Sequence, residues 1–176
     1  EGPARTWAAE AADGSLVVAG SPPHKPDGPT LPAARRLALV QAACAGEAGI
    51  EASDLELHRD GPTYTAETLE EVAAAYPGAD LWFILGADQL AGFDAWSRPE
   101  RILELARLGV AMRPGSDARA AGRVARGIAA GRVDLVEMPE VPVSSTAVRE
   151  RLTRGESVRD LVPPGVADLL EQAAPS

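Results

Sequence analysis

The segment LWFILGAD (residues 81–88) decides the fold class. Its first five residues are all apolar, Gly86 ends that run, and Asp88 follows. A strand that helices cover on both faces of a parallel sheet has this composition, whereas a strand with one wet face alternates apolar and polar residues. The segment therefore predicts a buried strand in an α/β protein.

Strand-like and helix-like stretches alternate on both sides of this segment. Short apolar runs predict four further strands, at residues 16–19, 50–57, 108–112 and 133–137. Helical spacing of apolar residues predicts helices over residues 33–48, 66–76, 99–107, 118–130, 144–153 and 166–173. This alternation predicts an α/β fold with a doubly wound open parallel sheet. We expect one domain over residues 1–176, with a divergent or truncated start at residues 1–15 and an N-terminally incomplete sheet.

The amino-acid composition argues against some classes of binding partner. The 176 residues carry 17 Lys and Arg against 26 Asp and Glu, a net charge of −9. That balance argues against nucleic-acid and anionic-membrane partners, and no apolar run reaches the roughly 20 residues that a membrane span needs. Cys44 is the single cysteine, which excludes an internal disulfide and a multi-cysteine zinc site and is typical of the reducing cytoplasm.

Ligands of open α/β sheets bind at the carboxyl ends of the strands. One such place is the segment VSSTAVR (residues 143–149), which opens a helix. The free N–H groups and the dipole of a helix start attract anions; Ser144, Ser145 and Thr146 add hydroxyl donors, and Arg149 lies one turn further on. The alternative is an ordinary helix cap with a surface arginine.

Three other places deserve the same test. Gly86 allows a ligand to approach the backbone closely, and Asp88 could accept from a ribose hydroxyl or help hold a metal; otherwise Asp88 is a helix cap. His24 and Lys25 lie among prolines that stiffen their loop. They would either bind a phosphate together or belong to an ordinary surface loop. Trp96, in a loop, would stack on a flat heterocycle or plug the core. Glu70, Glu71, Glu100 and Glu104 have the spacing of solvated helix faces.

Seven segments taken in order resemble the bacterial nicotinate-nucleotide adenylyltransferases, a nucleotidyltransferase family. They are PPHKP (22–26), DGPTYTAETL (60–69), LWFILGADQL (81–90), AWSRPE (95–100), MRPG (112–115), VSSTAVRERL (143–152) and SVRDLVPPGV (157–166). The resemblance covers most of the chain between residues 20 and 170.

The resemblance implies a Rossmann-like nucleotidyltransferase fold and the transfer of AMP from ATP to nicotinate mononucleotide, with a divalent metal, usually Mg²⁺. Tyr64, Thr65, Trp96 and Arg98 would bind the pyridine nucleotide, with His24 beside its phosphate. ATP would bind at a second set of residues, Gly86, Asp88, Ser144, Ser145 and Thr146. Lys25 and Arg149 would be catalytic. ATP and nicotinate mononucleotide are the expected partners, and a homo-oligomer is left open.

The start of the chain departs from this family. The family begins with a strand, a Gly-Thr-Phe-Asp-Pro stretch and a His-x-Gly-His pair, and this sequence shows neither motif. Three interpretations follow: a fragment or misread start of a normal enzyme gene, a diverged enzyme that handles phosphate with Lys25 and Arg149, or a non-catalytic nucleotide-binding relative. The pantetheine-phosphate adenylyltransferases share the serine-rich helix start and form a further alternative, although Tyr64, Thr65 and Trp96 suit a pyridine nucleotide better.

Overall fold

The computed structural model of the protein describes residues 13–21, 31–115, 117–128, 131–139 and 141–173. The strands in these ranges are β1 (Gly14–Val17), β2 (Ile50–Ser53), β3 (Leu81–Gly86), β4 (Ala106–Met112) and β5 (Val133–Glu137). The α-helices there are α1 (Ala33–Cys44), α2 (Thr65–Ala75), α3 (Ala87–Leu90), α4 (Pro99–Leu105), α5 (Ala118–Ile128), α6 (Ser145–Thr153) and α7 (Pro164–Glu171). Short 3₁₀ turns span Leu55–His58 and Phe93–Ala95.

All the strand pairs in these ranges are parallel, which confirms the predicted α/β class. One sheet has the order β1-β2 and the other the order β3-β4-β5. The strands belong to two compact units. The β3–β5 unit takes its described residues from 64–139, and the β1–β2 unit takes them from 13–63 and 141–173. The single-domain prediction is untested and stays a prediction.

The core of the β3–β5 unit lies on one face of its sheet. Leu85, Leu108 and Val110 alternate with other residues along paired strands, so their side chains share that face. Each helix of the unit adds buried residues to the same cluster; these are Ala66 and Leu69 of α2, Leu90 of α3, Ile102 of α4, and Ala121 and Ala125 of α5.

The opposite face of this sheet differs from the prediction. The guanidinium of Arg107 lies 4.7 Å from the centre of the Trp82 ring and 2.6 Å from the carboxylate of Asp134. Ile84 points to the same side and is 59% exposed. The expectation that residues 81–85 are buried on both faces is therefore wrong at Ile84, because the core formed by helices α2 to α5 lies on the other side.

Two predicted boundaries move by four residues. The expected strand over residues 50–57 ends at Ser53, and a 3₁₀ turn follows. The Ser53 hydroxyl accepts from the Leu55 N–H (3.3 Å), and Asp54 bonds His58 (2.9 Å), so side-chain bonds favour a turn over an extended chain. Helix α1 ends at Cys44 instead of residue 48, and Gly46 follows with φ of 93°.

Helices α1 and α7 pack together in the β1–β2 unit. The Arg35 guanidinium donates to the Leu169 carbonyl (2.6 Å), which joins the two helices. Its neighbour Arg36 donates to the carbonyls of Ala19, Gly20 and Leu31. One planar guanidinium thus ties the chain on both sides of residues 22–30.

Glu171 joins α7 to the turn before it. Its carboxylate accepts from the Ser157 hydroxyl (2.7 Å) and from the Val158 N–H (3.1 Å), and it pairs with Arg159 at 3.3 Å. The hydroxyl bond, the N–H bond and Arg159 together hold the pKa of Glu171 below its ordinary value of 4.5. A carboxyl whose pKa is lower in the folded state stabilises the fold above its unfolded pKa and loses that effect as pH falls through the folded value.

We therefore expect Glu171→Gln to lower stability at pH 7 and to flatten the loss of stability on acidification below about pH 4.5. Urea denaturation at pH 7 and pH 4 measures both effects. Ser157→Ala, which removes the first donor, serves as the control and should weaken the pH dependence without abolishing it. Identical acid profiles for Glu171→Gln and the parent would contradict this account.

In the ranges that the structure describes, no helix has both the length and the apolar composition that a membrane crossing requires.

Candidate functional site

The start of α6 has the geometry of an anion site. Ser144 precedes the helix with extended backbone, and its hydroxyl accepts from the Ala147 N–H (3.1 Å). Ser144, Ser145 and Thr146 are all exposed. Their hydroxyls and the free N–H groups of the first turn therefore face solvent, where a phosphate can meet the positive end of the helix dipole.

Arg149 lies one turn further along α6. Its guanidinium donates to the Thr146 hydroxyl (3.4 Å), and its side chain is exposed. The structure thus brings together four residues that the sequence predicted as phosphate contacts, namely Ser144, Ser145, Thr146 and Arg149. Ser144 is also an ordinary helix cap, so the cap interpretation and the anion interpretation describe the same residue.

The end of β3 is open in the other unit. Gly86 ends the strand, and no atom lies within 4 Å of where a Cβ would stand. Gly86 itself precedes α3, so the alternative that Asp88 caps this helix is wrong; Asp88 lies in the first turn and is exposed. A backbone without a side chain next to an exposed carboxylate is compatible with a nucleoside there.

Trp96 packs against two other aromatic rings. Its ring centre is 5.9 Å from that of Phe83, edge to face, and 5.5 Å from that of Phe93. The side chain is half-buried against the core of the β3–β5 unit. Trp96 therefore closes the edge of the core, and its stacking on a pyridine ring stays a prediction.

Arg98 connects the Trp96 turn to the first turns of α2. Its guanidinium lies 3.2 and 3.3 Å from the two carboxylate oxygens of Glu70 and 3.6 Å from Glu67. Thr65 begins α2, and Tyr64 is its N-terminal cap. The structure thus places Arg98 beside the helix that presents two of the predicted substrate residues.

Sequence reasoning missed the role of Glu70. The expectation of a solvated face agrees with Glu104, whose side chain is 64% exposed, but it did not include the bonds that Arg101 donates to Glu70 (2.9 Å) and to Glu104 (2.8 Å). The hydrogen bond from Arg101 and the charge of Arg98 lower the pKa of Glu70, and the carboxylates raise the pKa of Arg101. Residues 70 and 98 lie far apart along the chain, so no local pattern indicates this network.

Comparison with known proteins assigns the family. A family model described as cytidylyltransferase-like matches residues 6–151. A protein of Thermomicrobium roseum is 40% identical over 149 residues, which cover 84% of this chain and 70% of that protein. A protein of Chromobacterium violaceum is 35% identical over 165 residues, which cover 86% and 78%. Each bears the name "Probable nicotinate-nucleotide adenylyltransferase".

The chain belongs to the nicotinate-nucleotide adenylyltransferase family. The resemblance that the seven segments indicated is therefore confirmed. A structure of the nicotinic acid mononucleotide adenylyltransferase of Plasmodium falciparum, complexed with NaAD, matches with a TM-score of 0.69 at 17% identity. It covers 92% of this chain and 80% of that one, and at this identity it supports the nucleotidyltransferase fold alone.

Two candidate residues of this adenylyltransferase family member, His24 and Lys25, lie outside the described residues. The described part of the chain contains no group of three or more His, Cys, Asp or Glu side chains that could hold a metal ion.

Proposed function

We propose that the protein transfers AMP from ATP to nicotinate mononucleotide and forms deamido-NAD and pyrophosphate. The observation that carries the proposal is the match to relatives of that name at 35–40% identity over 70% or more of their length. The exposed serine-rich start of α6 supports it, because triphosphate binding needs a concentrated source of N–H and hydroxyl donors.

The reaction asks for little covalent chemistry from the protein. A phosphate oxygen of the mononucleotide attacks the α-phosphorus of ATP, the new P–O bond forms, and the bond to the bridging oxygen breaks as pyrophosphate leaves. The nucleophile comes from the substrate, so catalysis consists of aligning two anionic nucleotides and stabilising charge on the transferred phosphoryl group. The first turn of α6 and Arg149 supply fixed donors and a fixed positive charge for that task.

The proposed roles follow the two units of the molecule. Ser144, Ser145 and Thr146 of the β1–β2 unit bind ATP phosphates, and Arg149 and Lys25 are the catalytic cations. His24 contacts the phosphate of the mononucleotide. In the β3–β5 unit, Gly86 and Asp88 bind adenosine, and the pyridine nucleotide meets Tyr64, Thr65, Trp96 and Arg98. Trp96 is only partly buried, which is compatible with its part in this scheme.

A divalent cation, Mg²⁺ in our proposal, would enter on the ATP phosphates. Mg²⁺ retains several waters and commonly binds through substrate phosphates with one or two carboxylates. This mode agrees with the described residues, which form no three-ligand group. The protein residues then act on the nucleotides, and no step assigned here depends on a protein-held metal.

A coupled pyrophosphate-release assay tests the proposal. The protein is expressed from its complete reading frame and given ATP with nicotinate mononucleotide; we expect pyrophosphate and deamido-NAD in equal amounts, and none when either substrate is omitted. Phosphopantetheine replaces the acceptor as a control. Saturable nucleotide binding without turnover would favour the non-catalytic alternative, and turnover with phosphopantetheine only would replace the assignment. The cytoplasmic location and the oligomeric state remain predictions of the sequence.

A further inference from the structure

The bridge between α2 and the Trp96 turn carries more contacts than a simple surface ion pair. Glu70 accepts three hydrogen bonds, two from the Nη1 of Arg98 and one from the Nε of Arg101. Both arginines lie at the start of α4, on its cap and its first turn. A single carboxylate on α2 therefore holds the beginning of α4 at two points.

The backbone at Arg98 is constrained as well. Its φ of 52° and ψ of 55° place it in the left-handed region, and Arg98 is the one non-glycine residue with positive φ among the described residues. A residue with a Cβ resists this conformation, so the surrounding structure must hold it there. The chain bends at this point between Trp96 and α4, and the Arg98 side chain holds the bend through its contacts with Glu67 and Glu70.

We propose that Glu70 is a positioning residue for the pyridine-binding pocket: through Arg98 it sets where Trp96 stands relative to Tyr64 and Thr65 at the start of α2. This inference rests on the proposed function. All the residues involved lie in the β3–β5 unit, and the path is short, since Arg98 is two residues from Trp96 and its second partner Glu67 is two residues from Thr65.

The charges change the role of Arg98. Two carboxylates, Glu67 and Glu70, already face its guanidinium. The Arg98 cation is therefore largely offset within the protein and acts as a tether, not as the main attraction for an anionic substrate. The lowered pKa of Glu70 agrees with a carboxylate that stays ionised beside Arg98 and Arg101.

Exposed ion pairs usually contribute little to stability, so the expected effect is on geometry. Small errors in the placement of a binding group cost affinity and rate. Loss of the Glu70 bridge should therefore weaken binding of the nucleotide that meets Trp96. ATP binding should stay almost unchanged, because its proposed contacts at Gly86, Asp88 and the start of α6 do not include Arg98 or Trp96.

The test compares Glu70→Gln with Glu104→Gln in the full protein. Both variants remove one carboxylate from Arg101, but only the first removes a partner of Arg98. We expect Glu70→Gln to raise KM for nicotinate mononucleotide about threefold to tenfold, with KM for ATP changed less than about twofold. Glu104→Gln should leave both KM values within about twofold. Equal rises for both substrates in Glu70→Gln would overturn the proposal.

A double-mutant cycle shows whether the effect passes through Trp96. In a Trp96→Ala background, Glu70→Gln should change KM for nicotinate mononucleotide less than about twofold. An effect as large as in the parent would mean that Glu70 acts by another route and would overturn the proposal.

A fluorescence measurement separates this proposal from the proposed function. The tryptophans are Trp7, Trp82 and Trp96, so Trp7→Phe with Trp82→Phe leaves Trp96 as the sole reporter. Adding Glu70→Gln should shift its emission maximum, and adding Glu104→Gln should not. A parent protein that lacks the reaction would end the proposed function, and an unchanged emission in Glu70→Gln would end the positioning role.

Discussion

Replacing Arg149 with alanine is expected to lower kcat/KM for adenylyl transfer about a hundredfold to a thousandfold. That is the loss seen when an enzyme loses one fixed donor to a developing negative charge. Arg149 lies in the first turns of α6, where its guanidinium bonds Thr146 and remains exposed. The helix start would then face the phosphates without this full positive charge, since its N–H groups carry only partial positive charge.

Arg154 offers a matched control for Arg149. It lies at the other end of α6 as the C-terminal cap, and it lines the same shallow surface depression as Thr146 and Arg149. Its guanidinium is paired with Glu156 at 2.8 Å. We expect Arg154→Ala to retain at least about a third of the parent kcat/KM. Steady-state kinetics in both substrates provide the comparison. Equal losses in the two variants would indicate a general charge effect, and an unchanged Arg149→Ala would leave Arg149 as a surface residue.

Replacing Phe93 with alanine is expected to lower the free energy of unfolding by about 3–5 kcal/mol, the usual cost of deleting a buried aromatic ring. Phe93 is 1% exposed and packs at 5.5 Å from the Trp96 ring. The short turn from Phe93 to Ala95 follows α3 closely. Because the backbone of this turn is held at both sides, the surrounding core has little freedom to move into the space that the Phe93 ring leaves.

Urea denaturation followed by tryptophan fluorescence measures this loss. Tyr76→Ala is the control, because it removes an aromatic ring that is 57% exposed; its effect should stay within about 0.5 kcal/mol. A loss below about 1 kcal/mol for Phe93→Ala would show that the cluster repacks. The same substitution should also weaken the support of Trp96, so a rise in KM for nicotinate mononucleotide is expected alongside it.

Local patterns were enough for the strands and most helices. The apolar run at residues 81–85 became β3, and the serine-rich segment became the start of α6 at Ser145. In both cases the signal comes from neighbouring residues, through periodicity or through a helix cap, so no distant contact is needed to interpret it. The turn at Leu55–His58 was not predicted, because alternating leucines are compatible with either a strand or a turn held by side-chain hydrogen bonds.

In the candidate site too, local sequence patterns predicted some residues and missed others. The family signature of the seven segments pointed to Ser144, Thr146 and Arg149, and the fold places them at the cap and in the first two turns of α6. The contacts of Glu70 were not predicted, because only its two arginine partners, about thirty residues away, distinguish it from other glutamates on helix surfaces.

By itself, the order of residues determined a parallel α/β protein, its family and the serine-rich start of α6, because each depends on short-range chemistry or on motifs written along the chain. Only the tertiary structure decided that Ile84 faces outward, that Trp96 leans on Phe83 and Phe93, and that Arg98 adopts a left-handed backbone braced by α2. Those outcomes depend on contacts between segments that are far apart along the chain. Such contacts are determined by the packing of the whole unit and not by local preferences.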